Sequence, residues 1–283
     1  MKKIISIFLT AAVCLLCLTG AAAAEYIKYS ECAFADTTAI DDTVYIRTTI
    51  NGIYTWKPGE KELTLYESGY EWTDYEGLVA IDGVLYTVNK ENYQFTDIGE
   101  NGRGAPLDGV AVPGFKKTAH LGEGWQIVCM RNTPHGLFWM TYPTSYSDKL
   151  LLCRLDLTTM KLSCRSVPHI YSYCIGDDGT TWIVQPNGET FLLFTLDWDS
   201  GKLTKEADLP RGAGGMIMKD GNMIFNAREQ VIRRTPDGDI ETLGQVPILQ
   251  SNHHNGFLLN DDLLVYFMRN EMTSFSLSEA QEQ

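Results

Sequence analysis

Long apolar segments are scarce in this chain of 283 residues. One such run, Ile4 to Leu18, follows Lys2 and Lys3 and precedes small residues that end at Ala24. This run is too short for a comfortable membrane span, and its surroundings are typical of a secretory signal peptide. We therefore expect residues 1–24 to be removed. The mature protein is expected to be secreted or exposed at the exterior of the cell envelope, without stable insertion into a membrane.

Basic residues are also in short supply. Lys and Arg together number 23 against 36 Asp and Glu, which gives a formal net charge of −13. An acidic balance of this size repels nucleic acid and anionic membrane surfaces. The sequence therefore predicts no nucleic-acid partner.

Familiar catalytic and metal-binding signatures are missing. The chain has no Gly-x-Ser-x-Gly elbow, phosphate loop or His-Glu-x-x-His helix, and its cysteines lack the spacing of zinc ligands. Asp197 and Asp199 resemble the start of a calcium loop, but Asp156 and Thr158 occupy the equivalent place 41 residues earlier. That pattern follows a turn, so we predict no metal and no cofactor.

A repeated sequence pattern is what the chain does contain. Six stretches each consist of an apolar run, one or two Asp or Gly residues, and a second apolar run: Ala39–Ile46, Ala80–Thr87, Thr133–Trp139, Gly176–Ile183, Lys219–Phe225 and Asn260–Tyr266. Their turn residues are separated by 41, 53, 43, 42 and 41 positions. A period near 42 with alternating strands and no helical periodicity predicts an all-β, six-bladed β-propeller that forms a single domain over residues 25–283.

The long step of 53 leaves two placements for the third hairpin. One is at Glu123 and Gly124, and the other is at Gly136. We prefer Gly136, because its distance of 19 residues to Leu155 is close to the 17 residues from Gly179 to Leu196 in the next repeat. The additional residues then form a long excursion around 101–124.

A second repeated pattern marks the outer edge of the blades. Leu155–Ser163 and Leu196–Thr204 superpose without a gap, and Thr55–Thr64 and Arg233–Thr242 are looser copies. Each is predicted to be the turn between the two outer strands of a blade. The last blade lacks one strand, which Glu25–Ser30 could supply, so that the N-terminus closes the ring.

The pattern Leu-Asp-x-x-[Ser/Thr]-x-Lys-Leu at Leu155–Leu162 and Leu196–Leu203, together with the AIDD and AIDG hairpins, resembles the TolB-like propellers of exported bacterial proteins. The resemblance spans roughly residues 25–277. It implies the binding of a protein or ligand outside the cytoplasm, and it carries no catalytic motif onto this chain.

Two cysteines are predicted to lie opposite each other. If the hairpin turns at Thr158 and Thr159, Cys153 is directly across from Cys164. Such a pair is close enough to bridge only in the non-hydrogen-bonded register. Both a disulfide and two buried thiols are compatible with this placement.

Candidate ligand-binding residues come from the loops that enter the innermost strands: Trp72, Asp74, Tyr75, His169, Tyr171, Arg211, His253 and His254. Aromatic planes beside polar groups suit a ligand such as a sugar. The aromatic residues could equally fill the seams between blades. Arg211 could clamp an anion, or be incidental to the glycines at 212, 214 and 215 that let the chain turn tightly against its neighbour.

These features favour a non-catalytic binding or scaffolding protein that recognises a protein, peptide or glycan at the cell envelope. The alternative is a polysaccharide-directed lyase or hydrolase. In that alternative His253 or His254 is the general base, and Arg211 neutralises a uronate carboxylate.

Overall fold

The protein is built from β-strands. The computed structural model describes residues 26–28, 34–49, 52–67, 75–89, 94–98, 106–111, 125–143, 149–246, 255–268 and 271–278, which form 24 strands. No helix in these ranges is long and apolar enough to cross a membrane.

The strands follow one another along the chain in groups of four after a separate first strand. They are β1 (Tyr26–Lys28); β2 (Phe34–Ile40), β3 (Thr43–Thr48), β4 (Ile53–Trp56) and β5 (Thr64–Glu67); β6 (Tyr75–Ile81), β7 (Val84–Asn89), β8 (Gln94–Asp97) and β9 (Pro106–Ala111); β10 (Trp125–Thr133), β11 (Gly136–Pro143), β12 (Lys149–Asp156) and β13 (Lys161–Pro168); β14 (Ser172–Ile175), β15 (Thr181–Asn187), β16 (Thr190–Leu196) and β17 (Leu203–Leu209); β18 (Ala213–Lys219), β19 (Asn222–Ala227), β20 (Gln230–Arg234) and β21 (Ile240–Gln245); and β22 (Asn255–Leu259), β23 (Leu263–Met268) and β24 (Glu271–Ser276).

These strands assemble into four-stranded antiparallel sheets. Within the described ranges, five sheets each use four consecutive strands, and a further sheet has the order β1-β24-β23-β22. The first strands of the sheets pack on one another: β2 contacts β6, β10 and β22, β6 contacts β10, and β18 contacts β14 and β22. The sheets are therefore arranged around an axis lined by these inner strands, and the prediction of an all-β propeller is confirmed.

The hairpins that begin each sheet lie where the repeat predicts them. Asp82 and Gly83 have φ angles of 50° and 76°, and Asp220 and Gly221 have 50° and 74°. Positive φ at both central residues is the geometry of a tight hairpin turn, which Asp and Gly tolerate. The third hairpin joins β10 to β11 at Gly136, which confirms the preferred placement. Part of the expected excursion, Pro106–Ala111, is instead strand β9 of the second sheet.

The repeat period also reappears as contacts between sheets. The backbone N–H of Leu78 donates to Asp36, that of Ala80 donates to Thr38, and the ring of His135 contacts the carbonyl oxygen of Asp177, each across 42 positions. Equivalent residues of neighbouring sheets therefore lie side by side. Apolar side chains fill the spaces between sheets, as where Val79 and Phe95 of the second sheet pack with Trp139 of the third.

The outer turns confirm their sequence interpretation. The carboxylate of Asp156 accepts hydrogen bonds from the backbone N–H groups of Thr158 and Thr159, at 2.9 and 3.0 Å. Asp197 accepts from Asp199 and Ser200 in the same way. Both carboxylates thus cap their own turns, as Asp residues commonly do.

Strand β1 pairs with β24 through Tyr26↔Thr273, Ile27↔Met272 and Lys28↔Glu271. Ile27 is buried in an apolar cluster that includes Val265 and Met272. The ammonium of Lys28 lies 3.3 Å from the carboxylate of Glu271. The chain's first and last strands thus share one sheet.

We expect Ile27→Ala to lower the free energy of unfolding by about 2 kcal/mol, because it removes buried methyl groups from this cluster. Lys28→Arg is the matched control on the same strand, and it should cost less than about 1 kcal/mol because it keeps a cation beside the buried carboxylate of Glu271. Urea denaturation of a protein comprising residues 25–283 measures both. Equal, small effects of the two changes would show that β1 contributes little to the fold.

Cys153 and Cys164 are directly opposed across β12 and β13, as predicted. The last paired residues are Asp156 and Lys161, so the turn between the two strands has four residues and not two. Their sulfurs are free thiols 2.8 Å apart. Cys153 is buried, and burial raises the pKa of its thiol well above the usual range. Cys164 is only partly buried, so it is the thiol that a soluble oxidant reaches first.

We expect oxidised glutathione to convert this pair into a disulfide, because the two sulfurs already face each other near the bonding distance of about 2.05 Å. Cys164 would attack the glutathione disulfide, and Cys153 would then displace the second glutathione thiolate. Peptide mapping should find one cross-linked peptide and a mass lower by two hydrogen atoms. Recovery of both residues as alkylated thiols after oxidation would contradict the prediction.

Candidate functional site

The inner strands enclose a cavity of about 430 Å³ on the propeller axis. Its wall includes residues of β2, β6, β10, β14, β18 and β22, and these residues lie toward the hairpin that joins each inner strand to the next strand. The cavity is therefore displaced toward the end of the inner strands opposite to the loops that enter them.

Of the described residues, two with charged side chains line this cavity, Asp36 of β2 and Arg131 of β10. Each follows an irregularity in its strand: the pairing shifts between Phe34 and Asp36, and again between Val128 and Arg131. Cys129, inside the second shift, has a φ of 57°. A bulge changes the direction of the side chains that follow it, and this is how these two charged residues reach the axis.

Asp36 ties three inner strands together. One carboxyl oxygen accepts the backbone N–H of Thr37 at 2.9 Å, and the other accepts those of Leu78 and Met130, both at 3.3 Å. Burial raises the pKa of Asp36 to about 6, although the charge of Arg47 and the three N–H groups act in the opposite direction. Asp36 is therefore a cross-link between strands whose pKa lies above the usual range of a carboxyl group.

Arg131 reaches across the axis. Its Nη1 donates to the carbonyl oxygen of Gly256 at 2.5 Å, and its guanidinium carbon lies 5.6 Å from the centre of the Tyr173 ring. Tyr173 in turn donates its hydroxyl to the carbonyl oxygen of Cys129. Within the described residues Arg131 forms no ion pair, and its Nε has no hydrogen-bond partner. The guanidinium is thus held in place with part of its donor capacity unused.

The remaining wall combines apolar side chains with a few polar ones. Ile217, Phe257 and Leu258 contribute apolar surface. Thr38 accepts the N–H of Ala80, and the amide of Asn132 donates to the carbonyl oxygen of Ala80. Asn132 is exposed, so the cavity is open to solvent beside it.

The sequence-predicted binding residues lie elsewhere or outside the described ranges. Trp72, Asp74, His253 and His254 fall in residues that the structure does not describe, as does the side chain of Tyr75 at the start of β6. His169, Tyr171 and Arg211 are described, and none of them lines the axial cavity. The predicted ligand face therefore stays a prediction.

The three described candidates have local roles. His169 is exposed, with a φ of 54°, directly after β13. The ring of Tyr171 packs edge-on against Phe191 with centroids 4.7 Å apart, and burial raises the pKa of its hydroxyl to about 12. Arg211 lies on the surface, where its Nη1 is 2.6 Å from the carboxylate of Glu189. In this arrangement Arg211 is already paired.

Sequence reasoning missed Asp36 and Arg131. A weak signal was present, because each is a charged residue inside the segment that forms an innermost strand, FADTTAI for Asp36 and IVCMRNT for Arg131. The strand alternation does not reveal which face such a residue occupies once a bulge shifts the register. Among the described residues, no three His, Cys, Asp or Glu side chains are grouped so that they could hold a metal ion.

No protein-family model and no curated protein sequence matches this chain. Solved structures do match its fold. Virginiamycin B lyase from Staphylococcus aureus superposes with a TM-score of 0.51 and 12% identity, covering 89% of this chain and 98% of that one. A regucalcin, a calcium-binding protein from Agrobacterium tumefaciens, gives 0.57 and 13%, covering 86% and 89%. A putative gluconolactonase gives 0.57 and 14%, covering 91% and 93%. At these identities the likeness shows the propeller fold alone.

Proposed function

We propose that this chain is an exported, non-catalytic binding protein that recognises a protein, peptide or glycan at the cell envelope. In this proposal it is a six-bladed propeller of the TolB-like kind, with β1 completing the last blade. The signal-peptide pattern at residues 1–24 and the resemblance of its outer turns to exported propellers support the proposal.

The observation that carries the proposal is the way the two charged residues of the axial cavity are held. Asp36 is engaged by backbone N–H groups of β2, β6 and β10, and Arg131 is anchored to a backbone carbonyl of β22. Groups fixed in this way preorganise a recess, and preorganisation favours ligand binding. A proton-transfer pair would instead need side chains free to reach a reacting atom.

Binding measurements with the mature protein, residues 25–283, test this function. Biolayer interferometry against glycan and peptide arrays should find at least one class of saturable ligand that is recovered unchanged after incubation. Incubation with pectic and other polysaccharides should yield no products. Turnover that disappears in a His254→Ala variant would replace the binding function with the lyase or hydrolase alternative.

A further inference from the structure

We propose that the axial cavity binds a carboxylate carried on an apolar body, with the guanidinium of Arg131 as the group that receives it. A free C-terminus of a peptide and a small aryl or alkyl carboxylic acid share this chemistry. The inference rests on the proposed function, because it specifies the ligand for the cavity described above.

Arg131 has unused donor capacity. A guanidinium has five N–H donors, and among the described residues that of Arg131 makes one contact, to the carbonyl oxygen of Gly256 at 2.5 Å. Its Nε is buried and has no hydrogen-bond partner in the described part of the chain, and no described carboxylate forms an ion pair with it. A partly buried cation of this kind gains most from an anion that brings charge-assisted hydrogen bonds.

The other charged residue of the wall is bonded to groups other than Arg131. Both carboxyl oxygens of Asp36 accept backbone N–H groups, so they are satisfied without Arg131. Among the described residues no carboxylate is paired with Arg131, and an anionic ligand can take that place.

The wall of the cavity can also contact an apolar ligand body. Ile217, Phe257 and Leu258 give it apolar surface, and Thr38 and Asn132 beside them contact Ala80. An apolar side chain seated against Ile217, Phe257 and Leu258 is removed from water, which stabilises the bound ligand. The cavity of about 430 Å³ suits one such side chain with its carboxylate, since small-ligand sites span about 300–1,000 Å³.

The net charge of the whole chain bears on the charge of the ligand. With 36 acidic against 23 basic residues, the protein repels polyanions at long range. A ligand with one carboxylate is repelled less than a polyanion, and its apolar contacts offset that repulsion. The net charge therefore favours a monocarboxylate over a polyuronate or a phosphate-rich ligand.

Paired probes test the carboxylate directly on the unmodified protein. A panel of N-acetylated tripeptides ending in Leu, Ile, Phe or Met is measured by calorimetry, each as the free acid and as the C-terminal amide. At least one free acid should bind about 10- to 100-fold more tightly than its amide, the range expected for hydrogen bonds to a charged group. 4-Phenylbutyrate and its amide form a second arm that distinguishes a small acid from a peptide terminus.

Variants then locate the contact. Arg131→Gln should abolish the preference for acid over amide, and Arg131→Lys should retain part of it. Arg154→Gln is the matched control: Arg154 also lies 5.6 Å from an aromatic centroid, that of Phe138, and donates to a backbone carbonyl, but it does not line the cavity. Arg154→Gln should leave the preference unchanged.

The inference is overturned if no probe binds better as an acid than as an amide, or if the preference persists in folded Arg131→Gln. If circular dichroism shows that Arg131→Gln does not fold, the comparison of acid with amide in the unmodified protein and in Arg131→Lys still tests the inference. A ligand found on the arrays without any carboxylate preference would refute this inference and leave the binding function intact.

Discussion

Replacing Gly256 with alanine should lower the free energy of unfolding by about 3 kcal/mol or more, which corresponds to a fall in Tm of roughly 5–10 °C. A Cβ at this position would lie 2.6 Å from the carbonyl oxygen of Gly215 and 2.8 Å from the ring of Tyr266. The first of these neighbours is backbone of β18, so it cannot yield by rotation of a side chain. The inner strands β18 and β22 would have to separate, which also displaces the carbonyl that holds Arg131.

Gly188→Ala is the matched control for this experiment. Gly188 has a φ of 62° but no heavy atom within 4 Å of the position that a Cβ would occupy, whereas Gly256 has the close contact without a positive φ. The control should therefore cost about 1 kcal/mol through backbone strain alone. Thermal and urea denaturation of both variants provide the comparison. If Gly256→Ala is no more destabilising than Gly188→Ala, the inner strands are not packed as closely as described.

Removal of the Asp36 carboxyl group is expected to lower the free energy of unfolding at acidic pH by about as much as Gly256→Ala does. Asp36→Ala leaves the backbone N–H groups of Thr37, Leu78 and Met130 without their acceptor. An unsatisfied buried donor costs about 1–3 kcal/mol, and water from the adjoining cavity can compensate in part. We therefore expect a loss of about 3 kcal/mol at pH 4, measured by urea denaturation.

The size of this loss should depend on pH. The pKa of Asp36 is raised from 3.8 to about 6 in the folded protein. Because the folded state holds the proton more tightly than the unfolded state, protonation of Asp36 raises the free energy of unfolding. This contribution is fully present below pH 4. It is lost as the pH rises through 6, by about 3 kcal/mol in total. The difference between the unmodified protein and Asp36→Ala should therefore shrink from pH 4 to pH 7.5, and a constant difference would contradict the raised pKa.

The turns could be predicted from the sequence because interactions between neighbouring residues determine them. Asp82 with Gly83 and Asp220 with Gly221 are turn residues whose backbone preference acts within a few positions, so the hairpins were predicted where they occur. The outer turns at Asp156 and Asp197 could be identified for the same reason, because the side chain caps its own turn. The register that places Cys153 across from Cys164 followed from the position of one such turn.

The candidate site could not be found in this way. Asp36 and Arg131 reach the axis because strand bulges redirect them, and a bulge depends on the neighbouring strand as well as on local sequence. The partners of Asp36 lie on β6 and β10, and the partner of Arg131 lies on β22. None of these proximities is encoded in a short segment.

The amino-acid sequence by itself determined the all-β character, the blade period and the positions of the turns, since alternation and turn preference are properties of neighbouring residues. Only the tertiary structure decided which side chains meet on the axis and how closely Gly215 and Gly256 approach. Those features arise when distant strands pack around a common axis, where contact depends on the arrangement of whole sheets.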